Sequence, residues 1–208
     1  MLDDIRNNLA ENLARVENLV LTYESHPDAQ GPGRKSAELL DILRAAVVLL
    51  HASLEDMLRA LARWRLPTSS QAVLDEIPLV GVGSNPKKFF LGELAAYRGK
   101  TIDELLTDSV NAHLEHSNYN NTDDIAALLA SVNVDVTKVN ARFPDIQKMM
   151  ERRHQIVHRA DRQPEVIGSG DHRIRGINKE TVREWSDSVS LFANVLLTEL
   201  AKVVPPSN

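Results

Sequence analysis

Cysteine is absent from the 208 residues, so neither a disulfide framework nor a thiolate metal site can be built, and a reducing compartment is compatible with the chain. Long apolar runs are missing too. The longest, Ala45–Leu50, is closed off by Arg44 and His51 and is far too short to span a bilayer. The opening residues Met1-Leu2-Asp3-Asp4-Ile5-Arg6 turn polar at once, without the apolar stretch of a signal peptide, so the expectation is a cytoplasmic protein with no membrane partner. Positive charge is not in excess: the formal net charge is −5, which argues against gripping nucleic acid by bulk electrostatics. There is no internal repeat and no low-complexity segment. The one phosphate-loop look-alike, Gly31-Pro32-Gly33-Arg34-Lys35-Ser36, fails because Arg34 stands where a glycine should precede the lysine, and the pattern before it is helical.

What remains is a chain with 43% hydrophobic residues, ample for a buried core, and one domain over residues 1–208 is expected. Leu2, Ile5, Leu9, Leu13, Val16, Leu19 and Val20 recur at three- and four-residue spacing, which predicts an amphipathic helix from Leu2 to about Tyr23. A loop rich in proline and glycine follows. The second helix, about Ser36 to Trp64, is apolar over so wide an arc that it should be central in a bundle. On it His51–Glu55 and Glu55–Arg59 are i,i+4 neighbours. They read either as solvated surface pairs or as a sign that Glu55 or Asp56 faces inward to hold a cation from another helix.

Ser84-Asn85-Pro86 reads as a cap and first-turn proline opening a helix that ends at Gly99. Thr101-Ile102-Asp103-Glu104 has the capping-box form and should open another, to about Ser117. His113 and His116 on it lack a third ligand in register and read as a solvated pair, so no metal site is expected, nor any cofactor. Thr122-Asp123-Asp124 starts a short helix through Ala130, and Asn133 to Arg142 reads as a short helix in preference to a strand. Phe143-Pro144-Asp145 begins the next, and Asn178 caps a last helix to about Val203, packed through Val182, Trp185, Val189, Phe192, Val195, Leu196 and Leu200. The fold class is therefore all-α, an antiparallel bundle of about six to eight helices.

The helix after Pro144 holds the densest chemistry. Between Arg142 and Arg175 eight basic residues face five acidic ones, with His154, His158 and His172 in the same span, so a local basic patch on an acidic protein competes with a plain solvated face. At about 100° per residue, Ile146, Met149, Met150, Ile156, Val157 and Ala160 share one side and Glu151, His154, Gln155, His158 and Arg162 the other. Arg153 falls in the middle of the apolar side. A guanidinium there either pairs with a carboxylate, Glu55 or Asp56 being the candidates, or faces a wet cleft between subunits.

Arg153-His154-Gln155-Ile156-Val157-His158 resembles the signature of the HEPN superfamily: an arginine, a polar residue directly after it, and a histidine after four intervening residues. The continuation to Arg162, the turn Gly168-Ser169-Gly170 and the tryptophan-bearing last helix are similar to the RiboL-PSP type of HEPN protein. The resemblance implies an α-helical domain, usually dimeric, whose two motifs face each other across the interface and often act as a metal-independent endoribonuclease. Arg153, His154 and His158 match the motif, and Glu55 resembles an acidic position of some members. Arg152 and Arg159 are candidates for support, and Arg162, His172 and Arg173 for phosphate or RNA contacts.

Histidine near neutral pH can take a proton from a ribose 2′-hydroxyl and deliver one to the leaving 5′-oxygen, while arginine holds the phosphate, leaving a 2′,3′-cyclic phosphate without need of a metal. His158 is then the acid/base, Arg153 the phosphate holder, and His154 orients or shares the proton transfer. On an ideal helix Arg153 and His158 lie about 140° apart, and a two-fold dimer relaxes that demand because each groove can receive residues from both chains. The expected partners are a second copy, RNA, and an antitoxin-like protein for a nuclease of the toxin or defence kind. The competing class is a non-catalytic module that uses the same basic groove to hold nucleotide, RNA or a protein.

Overall fold

The computed structural model describes residues 1–31, 33, 35–81, 91–162 and 175–203. Seven α-helices follow one another among them: α1 (Leu2–Ser25), α2 (Ala37–Arg65), α3 (Gln71–Leu74), α4 (Ile102–Glu115), α5 (Thr122–Ser131), α6 (Phe143–Arg159) and α7 (Lys179–Val203). The described residues contain no β-strand. None of these helices is long and apolar enough to cross a membrane.

α2 is the hub, packing against α1, α4, α6 and α7. Its apolar arc explains this position, since Leu43, Val47, Leu50, Leu54, Leu58 and Leu61 are all fully buried. Each contributes about 1.5–3 kcal/mol of transfer free energy. α1 lies along α2 through Ile5, Leu9, Val16 and Val20, the stripe its periodicity announces. α1 and α7 are strapped together antiparallel: Arg183 reaches Glu17 at 2.6 Å and Glu24 at 2.8 Å, and Lys179 reaches Glu24 at 2.7 Å. Arg183 and Lys179 hold the Glu24 carboxyl down to about 2.

Helix starts fall where local chemistry places them. Ser36 Oγ accepts the Leu39 N–H at 3.2 Å, and Asn178 Oδ1 accepts that of Thr181 at 2.7 Å. In α4 the reciprocal pair is complete, with Thr101 Oγ1 accepting from Glu104 N at 3.2 Å and Glu104 Oε2 from Thr101 N at 2.7 Å. Such caps satisfy N–H groups that a helix cannot pair internally and contribute about 1 kcal/mol each.

Three expectations need correction. Leu91–Tyr97 is a 3-10 helix and not the end of an α-helix, while the expected start at Ser84-Asn85-Pro86 lies outside the described residues. Asn133 to Arg142 resolves into two short 3-10 turns, Val136–Lys138 and Asn140–Arg142. α6 ends at Arg159, so Arg162 does not ride on it. The stop is built by Ala160 and Asp161, both in the left-handed region at φ 46° and 57°. The Ala160 N–H returns to Gln155 O, a six-residue closure of the kind that ends many helices, and the Asp161 N–H reaches the same carbonyl at 3.1 Å.

Candidate functional site

α6 begins at Phe143 with Pro144 in its first turn, where a missing N–H costs nothing. The Phe143 ring rests against Phe192 of α7 with centroids 5.9 Å apart, and Ile146, Met149 and Met150 anchor the helix in the core. Its C-terminal half departs from the ideal projection. Val157 is 48% exposed and Ala160 is exposed, while Arg152 is 5% exposed. The buried seam therefore swings around α6 from the Met150 side toward Arg152.

The cause is a buried charge cluster. The reversed turn at Ala160–Asp161 drives the Asp161 side chain inward, where it is 1% exposed. One oxygen, Oδ2, takes Arg152 Nη2 at 2.6 Å and Arg44 Nε of α2 at 2.8 Å. Arg152 Nη2 also donates to the carbonyls of Arg175 and Gly176 at 3.0 Å each, and Arg44 Nη2 to that of Arg175 at 3.0 Å. Burial, opposed by Asp161, pushes the Arg152 guanidinium below its usual range, helped by the like charges of Arg175 and Arg44. The cluster ties α2, α6 and the segment entering α7 into one frame. The fully buried arginine of α6 is thus Arg152, and its carboxylate is Asp161, a residue the helical projection does not bring into play.

Arg153 is half-buried at the edge of α6, and its Nε is buried without a hydrogen-bond partner among the described residues. Of its two candidate carboxylates, Asp56 is exposed to solvent. Glu55 faces inward at 17% side-chain exposure but engages its own surroundings: Oε1 accepts the Tyr119 N–H at 3.2 Å, Oε2 lies 3.6 Å from His51 Nδ1, and Arg59 is 4.0 Å away. Arg59 in turn donates to Leu114 O and Ser117 O at 2.7 and 2.6 Å, closing the end of α4.

His154 and His158, one turn apart, are both exposed, and their rings stand 4.6 Å centroid to centroid at 42°. Among the described residues no hydrogen bond from another side chain orients either ring. Arg159 and Arg162 are exposed beside them, and His172 and Arg173 lie outside the described residues. Flanking the motif, Arg44, Val48, Leu49 and Ala52 of α2 with Ile156 and Ala160 line a groove of about 550 Å³ that is largely apolar. No three His, Asp or Glu among the described residues gather where a metal ion could be held.

Burial of His51 itself is not among the expectations from sequence, which take the residue only as an i,i+4 partner of Glu55, in a pair either solvated or with Glu55 turned inward. His51 is 1% exposed in the core of α2. The signal was its place on the apolar arc, four residues after Val47 and three before Leu54. Burial lowers its pKa and the Arg153 charge lowers it further, while Glu55 and the Tyr119 backbone oppose them, leaving a net depression.

An all-helical bundle with an arginine, a following histidine and a second histidine on one helix is the architecture of a HEPN-type protein. The family model described as RiboL-PSP-HEPN matches residues 10–202, and the chain belongs to that family. No curated protein matches the chain, and no solved structure does.

Proposed function

We propose that the chain is an endoribonuclease of the toxin or defence kind that cleaves RNA by attack of the ribose 2′-hydroxyl on the adjacent phosphate. The observation that carries this reading is the histidine pair: two exposed imidazoles 4.6 Å apart, one and five residues beyond Arg153. Two neighbouring imidazoles can divide the work, one removing the 2′-proton and the other protonating the departing 5′-oxygen. The half-buried Arg153 holds the phosphate and stabilises its growing charge, with Arg159 and Arg162 adding positive potential nearby. His158 is the acid/base, and His154 shares or orients the transfer.

The site is completed by a second copy of the chain in this reading. Val157 and the apolar groove between α2 and α6 lie beside the motif, and covering them with the same face of another chain would bring two motifs together. That pairing answers the wide angle between Arg153 and His158 on one helix. The exposure of both imidazoles, with no described side chain fixing their orientation, favours a second reading in which the groove binds RNA or a protein without cleaving it.

The deciding experiment incubates wild type and His158→Ala with a broad panel of RNAs in the presence of a chelator and examines the ends. Cleavage by wild type alone, leaving 2′,3′-cyclic phosphates, is the expected result. Equal cleavage by both proteins would sink the assignment of His158. Tight binding with no cleavage across the panel would give the non-catalytic module.

A further inference from the structure

The polar cluster behind Arg153 contains two buried nitrogens with no hydrogen-bond partner among the described residues: Nε2 of His51, on α2, and Nε of Arg153, on α6. A buried polar atom left unpaired costs about 1–3 kcal/mol, so a protein that keeps two of them on helices packed together, near enough for the Arg153 charge to act on the His51 ring, gains by joining them. They are complementary in kind. The guanidinium Nε–H is a donor only, and imidazole Nε2 is an acceptor when the ring is neutral with its hydrogen on Nδ1. Both conditions are favoured here. Glu55 Oε2, 3.6 Å from Nδ1, favours the tautomer with hydrogen on that side. Burial and the Arg153 charge hold the ring neutral against Glu55 and the Tyr119 backbone, the other groups that act on it, while Arg59 is turned to the α4 carbonyls.

We infer that His51 is a positioning residue for Arg153: its Nε2 accepts the Arg153 Nε–H, with Glu55 fixing the tautomer from the other side of the ring. The chain Glu55, His51, Arg153 then holds the guanidinium from behind. Both terminal nitrogens stay free for two phosphate oxygens, the fork that suits arginine to this work. It would also give Glu55 a part in the site without direct contact with RNA. The catalytic consequence rests on the nuclease reading above, whereas the contact itself does not.

The test therefore has two arms. In the first, long-range proton–nitrogen NMR of the free wild-type protein reads the His51 tautomer, and the Arg153 Nε–H resonance is followed in wild type and His51→Gln. A neutral ring with hydrogen on Nδ1 at pH 7, and an Arg153 Nε–H signal that moves in the variant, are expected. Hydrogen on Nε2, or an Arg153 signal indifferent to His51, overturns the proposal whether or not RNA is cut.

In the second arm, kcat and KM for an RNA substrate are compared in His51→Gln, which still offers an acceptor oxygen, and His51→Leu, which does not. With both variants folded by circular dichroism, kcat/KM falls by about tenfold to a hundredfold in the leucine variant and is largely retained in the glutamine variant. Equal kinetics in the two would overturn the positioning role. Absence of cleavage in wild type would instead remove the nuclease reading and leave the first arm to decide.

Discussion

Arg152 and Asp161, nine residues apart across the end of α6, meet at 2.6 Å with both side chains almost completely buried. Asp161 carries two guanidinium groups on one oxygen, because Arg44 of α2 shares it at 2.8 Å. Removing the carboxylate would leave Arg152 a buried cation with no carboxylate among the described residues, while Arg44 would keep only Asp41, 2.8 Å from its Nη1; breaking a buried pair in this way costs about 3–5 kcal/mol. Asp161→Asn isolates that charge, since asparagine tolerates the positive φ of this position and keeps the side-chain shape. The expected outcome in a denaturant titration is a loss of about 3 kcal/mol or more, and a loss under about 1 kcal/mol would show that the cluster is not a principal tie.

The histidine pair leads to a graded prediction. His158→Ala should reduce kcat by about a hundredfold or more, the usual contribution of a positioned acid or base. His154→Ala should reduce it less, by about tenfold, with thermal stability of both variants near wild type because both rings are exposed. Single-turnover cleavage of a defined oligoribonucleotide measures this, and a larger loss in the His154 variant would exchange the two roles.

If a second copy completes the site, exposure of Val157, at 48%, next to Ile156 of the α2–α6 groove predicts how that copy would be held. Val157→Asp should convert a dimer to a monomer in light scattering at micromolar concentration, with little change in the unfolding temperature at low concentration. A variant that stays dimeric would place the interface elsewhere.

Burial of His51 predicts a pH dependence of stability. Its pKa in the folded chain lies below the ordinary value of 6.5, so near and below that value the unfolded chain binds more protons than the folded one. The contribution is complete above about pH 6.5 and is lost as the pH falls toward the folded pKa. Melting temperatures from pH 7.5 to 5 should therefore fall more steeply in wild type than in His51→Gln, which has no proton to bind at this place. Parallel slopes would mean that the ring takes up its proton as readily in the folded chain as in the unfolded one.

The helices were legible because their causes are local. Ser36, Thr101 with Glu104, and Asn178 cap the helices they are spaced to cap, and the apolar arc of α2 declares its central place. The arginine–histidine motif is also local, a matter of residues within five positions of one another. Arg153 and Arg152 show where such reasoning stops. A helical projection presumes that α6 offers the same side to the core along its whole length, and that fails once the chain reverses at Ala160 and Asp161.

His51 fails in the same way. Its i,i+4 spacing to Glu55 is identical on a wet surface and in a core, and only the helices packed over α2 distinguish the two. Residue order alone thus determined the helical class, most of the helix starts and the candidate motif. Which arginine is fully buried, which carboxylate meets it and which histidine loses its water were decided by tertiary packing. The physical reason is that periodicity and capping depend on neighbours a few residues away, whereas burial and ion pairing depend on residues such as Arg44 and Asp161 that meet only when the fold is complete.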